Sequence, residues 1–340
     1  VKESLYLYLL QKEAETSIAL AASVSDNRII EEARSTPYPI RPIPKKSYSL
    51  ALLLGFLIPT GIIFIVEQFN DTVRDKKIIE KFTKIPVLGI VGYSKDTSAL
   101  VVSEKPKSLI AEAFRTIRTN LKYFLPNKDK EVILITSSIG SEGKTFSSMN
   151  LATIIALSGK KTVLLGLDLR KPKIVGDFEI DNNKGISSFL IGTETINDIT
   201  VDTIIENLYL IPSGPVPPNP SELIMSEKMD ELIAELKKEY DTIIIDSPPV
   251  GLVTDALLLS KYVDATIFVV RQNVTKKEYI SQINELYKSG KITNASILFN
   301  AVKLSGLGYG YGYGYGYGYG YGYYEEDKKK GFFNRIFKKS

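Results

Sequence analysis

The residues best suited to chemistry are Gly140, Ser141, Glu142, Gly143, Lys144 and Thr145, which follow an unbroken apolar run from Val132 to Ile135. Such a run reads as a buried strand of a parallel sheet, and the residues from Gly143 onward open a helix. Strand, glycine-containing loop, Gly-Lys-Thr and helix is the order in which a chain cradles phosphate. Gly140 and Gly143 let backbone approach an anion closely, and the helix start aims free N–H groups at it. Lys144 can reach the β- and γ-phosphates of ATP, and the Thr145 hydroxyl suits Mg2+. Ser141, Glu142 and Phe146 complete the stretch expected to contact nucleotide. Ser138 stands where the first glycine of the motif belongs. The plainer alternative, a helix that simply begins at Gly-Lys-Thr, does not account for the strand and glycines before it.

Two further apolar runs end in carboxylates. Thr162–Leu167 leads into Asp168 and Arg170, and Thr242–Ile245 leads into Asp246. An apolar strand ending in Asp is the form of a Walker B site, which holds Mg2+ directly or through water. Taken singly, each Asp is equally suited to a helix cap or turn. Beside a phosphate loop in one sheet, both become candidate metal and catalytic groups, together with Lys144 and Arg170. No N-K-x-D motif follows in the right place, which favours adenine over guanine. Asn300, at the end of the last strand, is a candidate adenine contact.

Composition narrows the chemistry. The chain has no histidine and no cysteine, which excludes disulfides, thiol catalysis and imidazole bases. Its 43 basic and 39 acidic residues give no reason to expect a nucleic-acid partner. Residues 328–340 hold six of those cations and no acid, which leaves 37 basic against 39 acidic before them. That basic end, with Phe332, Phe333, Ile336 and Phe337 interleaved, suits an anionic membrane surface as well as it suits simple solubility.

The elements that must position these residues follow from pattern. Apolar runs at Val132–Ile135, Thr162–Leu167, Leu208–Ile211, Thr242–Ile245, Ala265–Val270 and Ser296–Phe299 alternate with helical patterns. The expected fold class is α/β, a doubly wound parallel sheet of the P-loop NTPase type, similar to MinD and ParA, with ligands at the carboxyl ends of strands. Before it, Tyr48–Val66 runs nineteen residues without a charge, long enough for one transmembrane helix. Cations on both flanks, more of them on the C-terminal side, orient that side weakly to the cytoplasm. The expected organisation is 1–47, a helical stretch closed by a proline-rich segment; 48–66, the membrane helix; 67–103, a linker; 104–304, the P-loop domain; and 305–340, a tail. The chain starts at Val1 without a methionine and is expected to be a piece of a longer protein. In the tail, tyrosine alternates with glycine from Tyr309 to Tyr323, a repeat that cannot bury a core and is expected to be disordered.

The set SSIGSEGKT, LDLRKP, PPNPSEL and DTIIIDSPPVGLVTDA, closed by the tyrosine-rich tail, resembles the bacterial tyrosine kinases. It is most similar to the arrangement in which a polysaccharide co-polymerase and its kinase share one polypeptide. The resemblance covers about residues 80 to 324. It implies that residues 1–47 end a periplasmic co-polymerase domain whose greater part lies outside this chain, and that the kinase lies on the cytoplasmic side of a bacterial inner membrane. It implies ATP–Mg2+ at Lys144 and Thr145, Asp168 in a second Walker motif (A′), Asp246 in Walker B, and Glu112, Arg115 and Arg118 in a ring-assembly signature. On spacing alone, those last three residues equally form the solvated face of a helix. It also implies phosphoacceptors at Tyr309, Tyr311, Tyr313, Tyr315, Tyr317, Tyr319, Tyr321, Tyr323 and Tyr324. The partners implied are copies of the same chain in a ring, the polysaccharide export and polymerisation machinery, and a cognate tyrosine phosphatase. One departure matters: the family pattern D-x-D at the A′ motif has Gly166 in its first place. The alternatives kept open are a ParA/MinD-like switch ATPase, whose loop usually carries an extra lysine where Ile139 stands, and a co-polymerase scaffold without kinase activity.

Overall fold

A computed structural model describes residues 2–23, 30–32, 34–38, 40–41, 43–93, 98–125, 130–178, 180–251, 254–292 and 294–303. The chain forms two compact units, Val1–Phe69 and Asn70–Ser340. The tyrosine-rich tail, and with it the expected disorder and basic end, lies outside the described residues.

The first unit holds two helices, α1 (Lys2–Ser23) and α2 (Pro44–Gln68), neither with a buried residue. Pro44 opens α2 where a missing N–H costs nothing. The uncharged run Tyr48–Val66 lies wholly within α2, which is long and apolar enough to cross a membrane. Pro59 sits inside it, as a membrane helix tolerates.

The second unit is an eight-stranded sheet in the order β1-β8-β7-β2-β6-β3-β5-β4. Its strands are β1 (Val87–Gly92), β2 (Glu131–Ser137), β3 (Thr162–Gly166), β4 (Val201–Asp202), β5 (Leu208–Ile211), β6 (Thr242–Asp246), β7 (Ala265–Arg271) and β8 (Ala295–Val302). Every pairing is parallel except the edge pair of β4 with β5. Between the strands run α3 (Lys76–Phe82), α4 (Val101–Glu104), α5 (Leu109–Phe124), α6 (Lys144–Ala156), α7 (Ile174–Asp177), α8 (Ile186–Ile191), α9 (Ile196–Ile199), α10 (Pro220–Ile224), α11 (Glu227–Glu239), α12 (Asp255–Leu259) and α13 (Lys277–Lys288).

Strand residues alternate between the two faces of the sheet, as a sheet covered on both faces requires. Ile133, Ile135, Leu164 and Ile244 pack with α5 and α6 residues such as Phe114 and Leu151. Val132, Leu134, Val163 and Ile243 pack with α11 residues such as Leu232 and Leu236 on the other face. The apolar stripe read from Ile110 to Phe124 becomes α5, capped by Ser108, whose hydroxyl accepts the Ala111 N–H at 3.1 Å.

The segment 67–103, expected as a linker, is corrected by the sheet. It carries α3, β1 and α4, buries Ile79, Leu88, Val91 and Val102, and β1 pairs in parallel with β8. The folded unit therefore begins at Asn70 rather than near residue 104. Gly89 shows why β1 resists a reading from pattern: a Cβ there would fall 2.3 Å from Ile117 Cγ1, so close packing of α5 requires glycine in the strand.

Candidate nucleotide site

The order of the central strands places β6 between β2 and β3, so three loop-bearing carboxyl ends lie side by side. The phosphate loop leaves β2, Asp246 closes β6, and Asp168 follows β3. Register fixes the arrangement: Asp246 pairs with Ile135 on one side and Gly166 on the other.

The loop has the backbone its glycines foretold at one position. Gly143 has φ +93°, the left-handed region, and a Cβ there would come within 2.1 Å of the Asn300 amide nitrogen. Ser141 also lies in that region at φ 66°. Ser138, in the place of the motif's first glycine, is buried, and its carbonyl accepts the Gly251 N–H at 3.1 Å. The loop is thus laid against the segment that follows Asp246.

Two polar pairs form at its floor. Lys144 Nζ stands 2.9 Å from Asp168 Oδ2, with both side chains about nine-tenths buried (9% and 11% exposed). Thr145 Oγ1 donates to Asp246 Oδ2 at 2.8 Å, and Ser148 Oγ donates to Oδ1 at 3.1 Å. Burial pushes the Asp246 carboxyl above its ordinary range, opposed by the Lys144 charge and the two hydroxyl donors. Lys144 and Ser148 are one helical turn apart, so the helix period could have flagged Ser148; the sequence reading left it out.

Other expected residues take different places. The Glu142 side chain is fully buried beneath the loop. It accepts the Ile139 N–H at 2.9 Å and the Thr275 hydroxyl, and burial raises its pKa above the ordinary carboxylate range. Its carboxylate braces the loop and is turned away from any ligand the loop would hold. Asn300 donates to the Glu142 carbonyl at 3.0 Å, so its amide holds the loop. Phe146 packs on the core beside Phe114, with ring centroids 6.1 Å apart, because its position on α6 faces α5. Arg170 turns away from Asp168 to pair with buried Asp255, Nε to Oδ2 at 2.9 Å, and also reaches Ser221 Oγ at 2.9 Å. Arg271 reaches the Ser141 carbonyl at 2.7 Å, a loop contact with no sequence signal.

At position 166, a Cβ would lie 3.0 Å from Ser213 Oγ, which itself donates to the Gly166 carbonyl at 2.6 Å. The serine fills the space into which a first A′ carboxylate would project. Asp168 keeps its place against Lys144 regardless.

On α5, Glu112 and Arg115 pair with each other at 2.9 Å, and Arg115 also reaches the Pro106 carbonyl. Arg118 is half-buried and donates to the Ile154 carbonyl in the last turn of α6 at 3.0 Å. The three residues share a helix face, on which Glu112 is exposed and both arginines are half-buried.

Among the described residues no cluster of three or more carboxylates could hold a metal alone. One hydroxyl and one carboxylate, with phosphate oxygens and water completing the shell, suit Mg2+, which keeps much of its hydration.

Residues 130–300 match a family model described as an AAA domain. A Staphylococcus aureus protein named "Putative tyrosine-protein kinase CapB" is 38% identical over 200 residues, covering 58% of this chain and 88% of that protein. The chain belongs to the bacterial tyrosine kinases. Tyrosine-protein kinase wzc of Salmonella typhi is 31% identical over 328 residues, 90% of this chain and 45% of that protein, so the chain spans a little under half the length of such relatives. The crystal structure of the chimerical protein CapA2B2 resembles this one with a TM-score of 0.63 at 36% identity, covering 67% of this chain and 100% of that chain.

Proposed function

We propose that the chain is an ATP-dependent protein-tyrosine kinase that phosphorylates the tyrosine cluster 309–324 of neighbouring copies and regulates export or polymerisation of a surface polysaccharide. The observation that carries this reading is the juxtaposition of Lys144–Asp168 with Thr145–Asp246 at adjoining strand ends, in a chain of this family that carries nine tyrosines within residues 309–324. Lys144 and the loop N–H groups stabilise charge on the transferring phosphoryl group. Thr145 and Asp246 would hold Mg2+, which when bound draws charge from the phosphate oxygens. In the transfer, the bond from the γ-phosphorus to its bridging oxygen breaks and a bond to the tyrosine Oη forms. Asp168 accepts the hydrogen bond of the phenol, whose proton passes to solvent, and ADP leaves. A neighbouring tail rather than the chain's own is the expected acceptor if Glu112, Arg115 and Arg118 contribute to a ring.

In this reading α2 anchors the chain in a bacterial inner membrane, with the second unit in the cytoplasm where ATP is available. Arg74, Lys76, Lys77, Lys81 and Lys84 on the C-terminal flank agree with that orientation. A tyrosine phosphatase would return the tail to its starting state. The test incubates the full chain in detergent with γ-labelled ATP and Mg2+. Label on tyrosine supports the kinase. Free phosphate without protein label would establish a switch ATPase instead, and neither product would establish a scaffold.

A further inference from the structure

The basic turn directly beyond Asp168 has no part in the site described so far. Asp168 uses its two oxygens differently: Oδ2 meets Lys144, while Oδ1 accepts the Lys171 N–H at 3.1 Å. The carboxylate proposed to receive the phenol is therefore in direct contact with the backbone of Lys171. Arg170, Lys171 and Lys173 are all exposed. Arg170 is balanced by Asp255 and tied to Ser221, which anchors the turn to α10 and α12. Lys171 and Lys173 form no ion pair among the described residues, and they follow Asp168 by three and five positions along the chain.

The acceptor sequence matches this charge in period and sign. Tyrosines in the tail recur every second residue, and Tyr324 is followed by Glu325-Glu326-Asp327. In an extended segment, residues two apart face the same side and lie about 7 Å apart. An acceptor bound in extended form with one tyrosine at Asp168 would turn the side chain two residues away toward the same face of the protein.

We propose that Lys171 and Lys173 form an anion subsite for the acceptor peptide, receiving a phosphate or carboxylate carried two residues from the reacting tyrosine. The inference rests on the kinase reading above and adds to it an order of events. Tyrosines beside the acidic end are modified first, and each phosphotyrosine then makes its neighbour a better substrate. Phosphate, with about −1.5 to −2 charges, is the stronger ligand of the two.

The test uses the full chain in detergent with three peptides of equal length: a neutral Tyr-Gly repeat, the same repeat with one phosphotyrosine, and one with Glu two residues after its only tyrosine. Two quantities are read, nucleotide-free binding by fluorescence anisotropy and KM for labelling. Both anionic peptides should bind about three- to tenfold tighter than the neutral one, with the gain in KM. Lys171→Ala with Lys173→Ala should bring that ratio to one, and Lys171→Arg with Lys173→Arg should restore it. Preference for the phosphopeptide alone would assign the subsite to earlier phosphates, and preference for the Glu peptide alone to the acidic end. Equal binding of all three peptides, or a preference that survives the double alanine variant, overturns the subsite. Absence of any labelling with the anisotropy preference intact would overturn the kinase reading and leave the anion subsite standing.

Discussion

Lys144 and Asp168 show how a candidate site pair also carries stability. Each is about nine-tenths buried against the other, so removing one strands the other charge. Lys144→Met should abolish tail labelling and also cost about 1–3 kcal/mol, part of which Asp168→Asn restores in the double variant. Thermal denaturation of the two singles and the double checks this, and strictly additive losses would contradict the pairing. Glu142 makes a prediction about pH. Its folded pKa lies above its unfolded one because burial disfavours the charge. The folded state then binds more protons between the two values, so stability falls as pH rises through that window. The stability of the parent chain relative to Glu142→Gln should decline from the ordinary carboxylate range upward and level off above the raised value. A difference that stays flat with pH would show that Glu142 is not under strain of burial. Lys144, Thr145, Asp168 and Asp246 were legible because their chemistry depends on local spacing after a strand. The placements of Asn300, Arg170 and Phe146 were not, because their partners are Glu142, Asp255 and Phe114, residues remote in sequence whose proximity only the folded sheet creates.

At the scale of elements, helix periodicity and buried runs gave α5 and the six central strands their places. β1 escaped because Gly89 and Gly92 break its apolar residues into two pairs, and β4 because two residues carry no pattern. Gly89→Ala should cost about 1–3 kcal/mol through collision with Ile117, read as a drop of several degrees in melting temperature. An unchanged melting point would mean that β1 does not pack on α5 as described. On α5 the two arginines should separate. Arg118→Ala removes a donor to the α6 terminus and should cost about 0.5–1.5 kcal/mol, whereas Arg115→Ala, which loses a pair with exposed Glu112, should cost less. If the shared face assembles copies, light scattering will show that both variants weaken the oligomer. Loss of stability without loss of association would confine Arg118 to its contact with Ile154.

For the whole molecule, the decisive boundary is Asn70, where the sheet-bearing unit begins. A chain starting at Asn70 should unfold cooperatively, whereas one starting at Glu104 lacks β1, exposes the β8 edge and should melt lower and aggregate. Equal calorimetric transitions would return residues 70–103 to the linker role that their sequence suggested. The central claim is that this phosphate loop drives transfer to the tyrosines of residues 309–324 on copies of this chain. It is tested most directly by mass-spectrometric counting of phosphotyrosine in residues 309–324 after incubation of the full chain with ATP and Mg2+. The parent chain should carry phosphate on several of these tyrosines, and Lys144→Met, shown by circular dichroism to remain folded, should carry none. Equal phosphotyrosine in the two proteins would contradict the account.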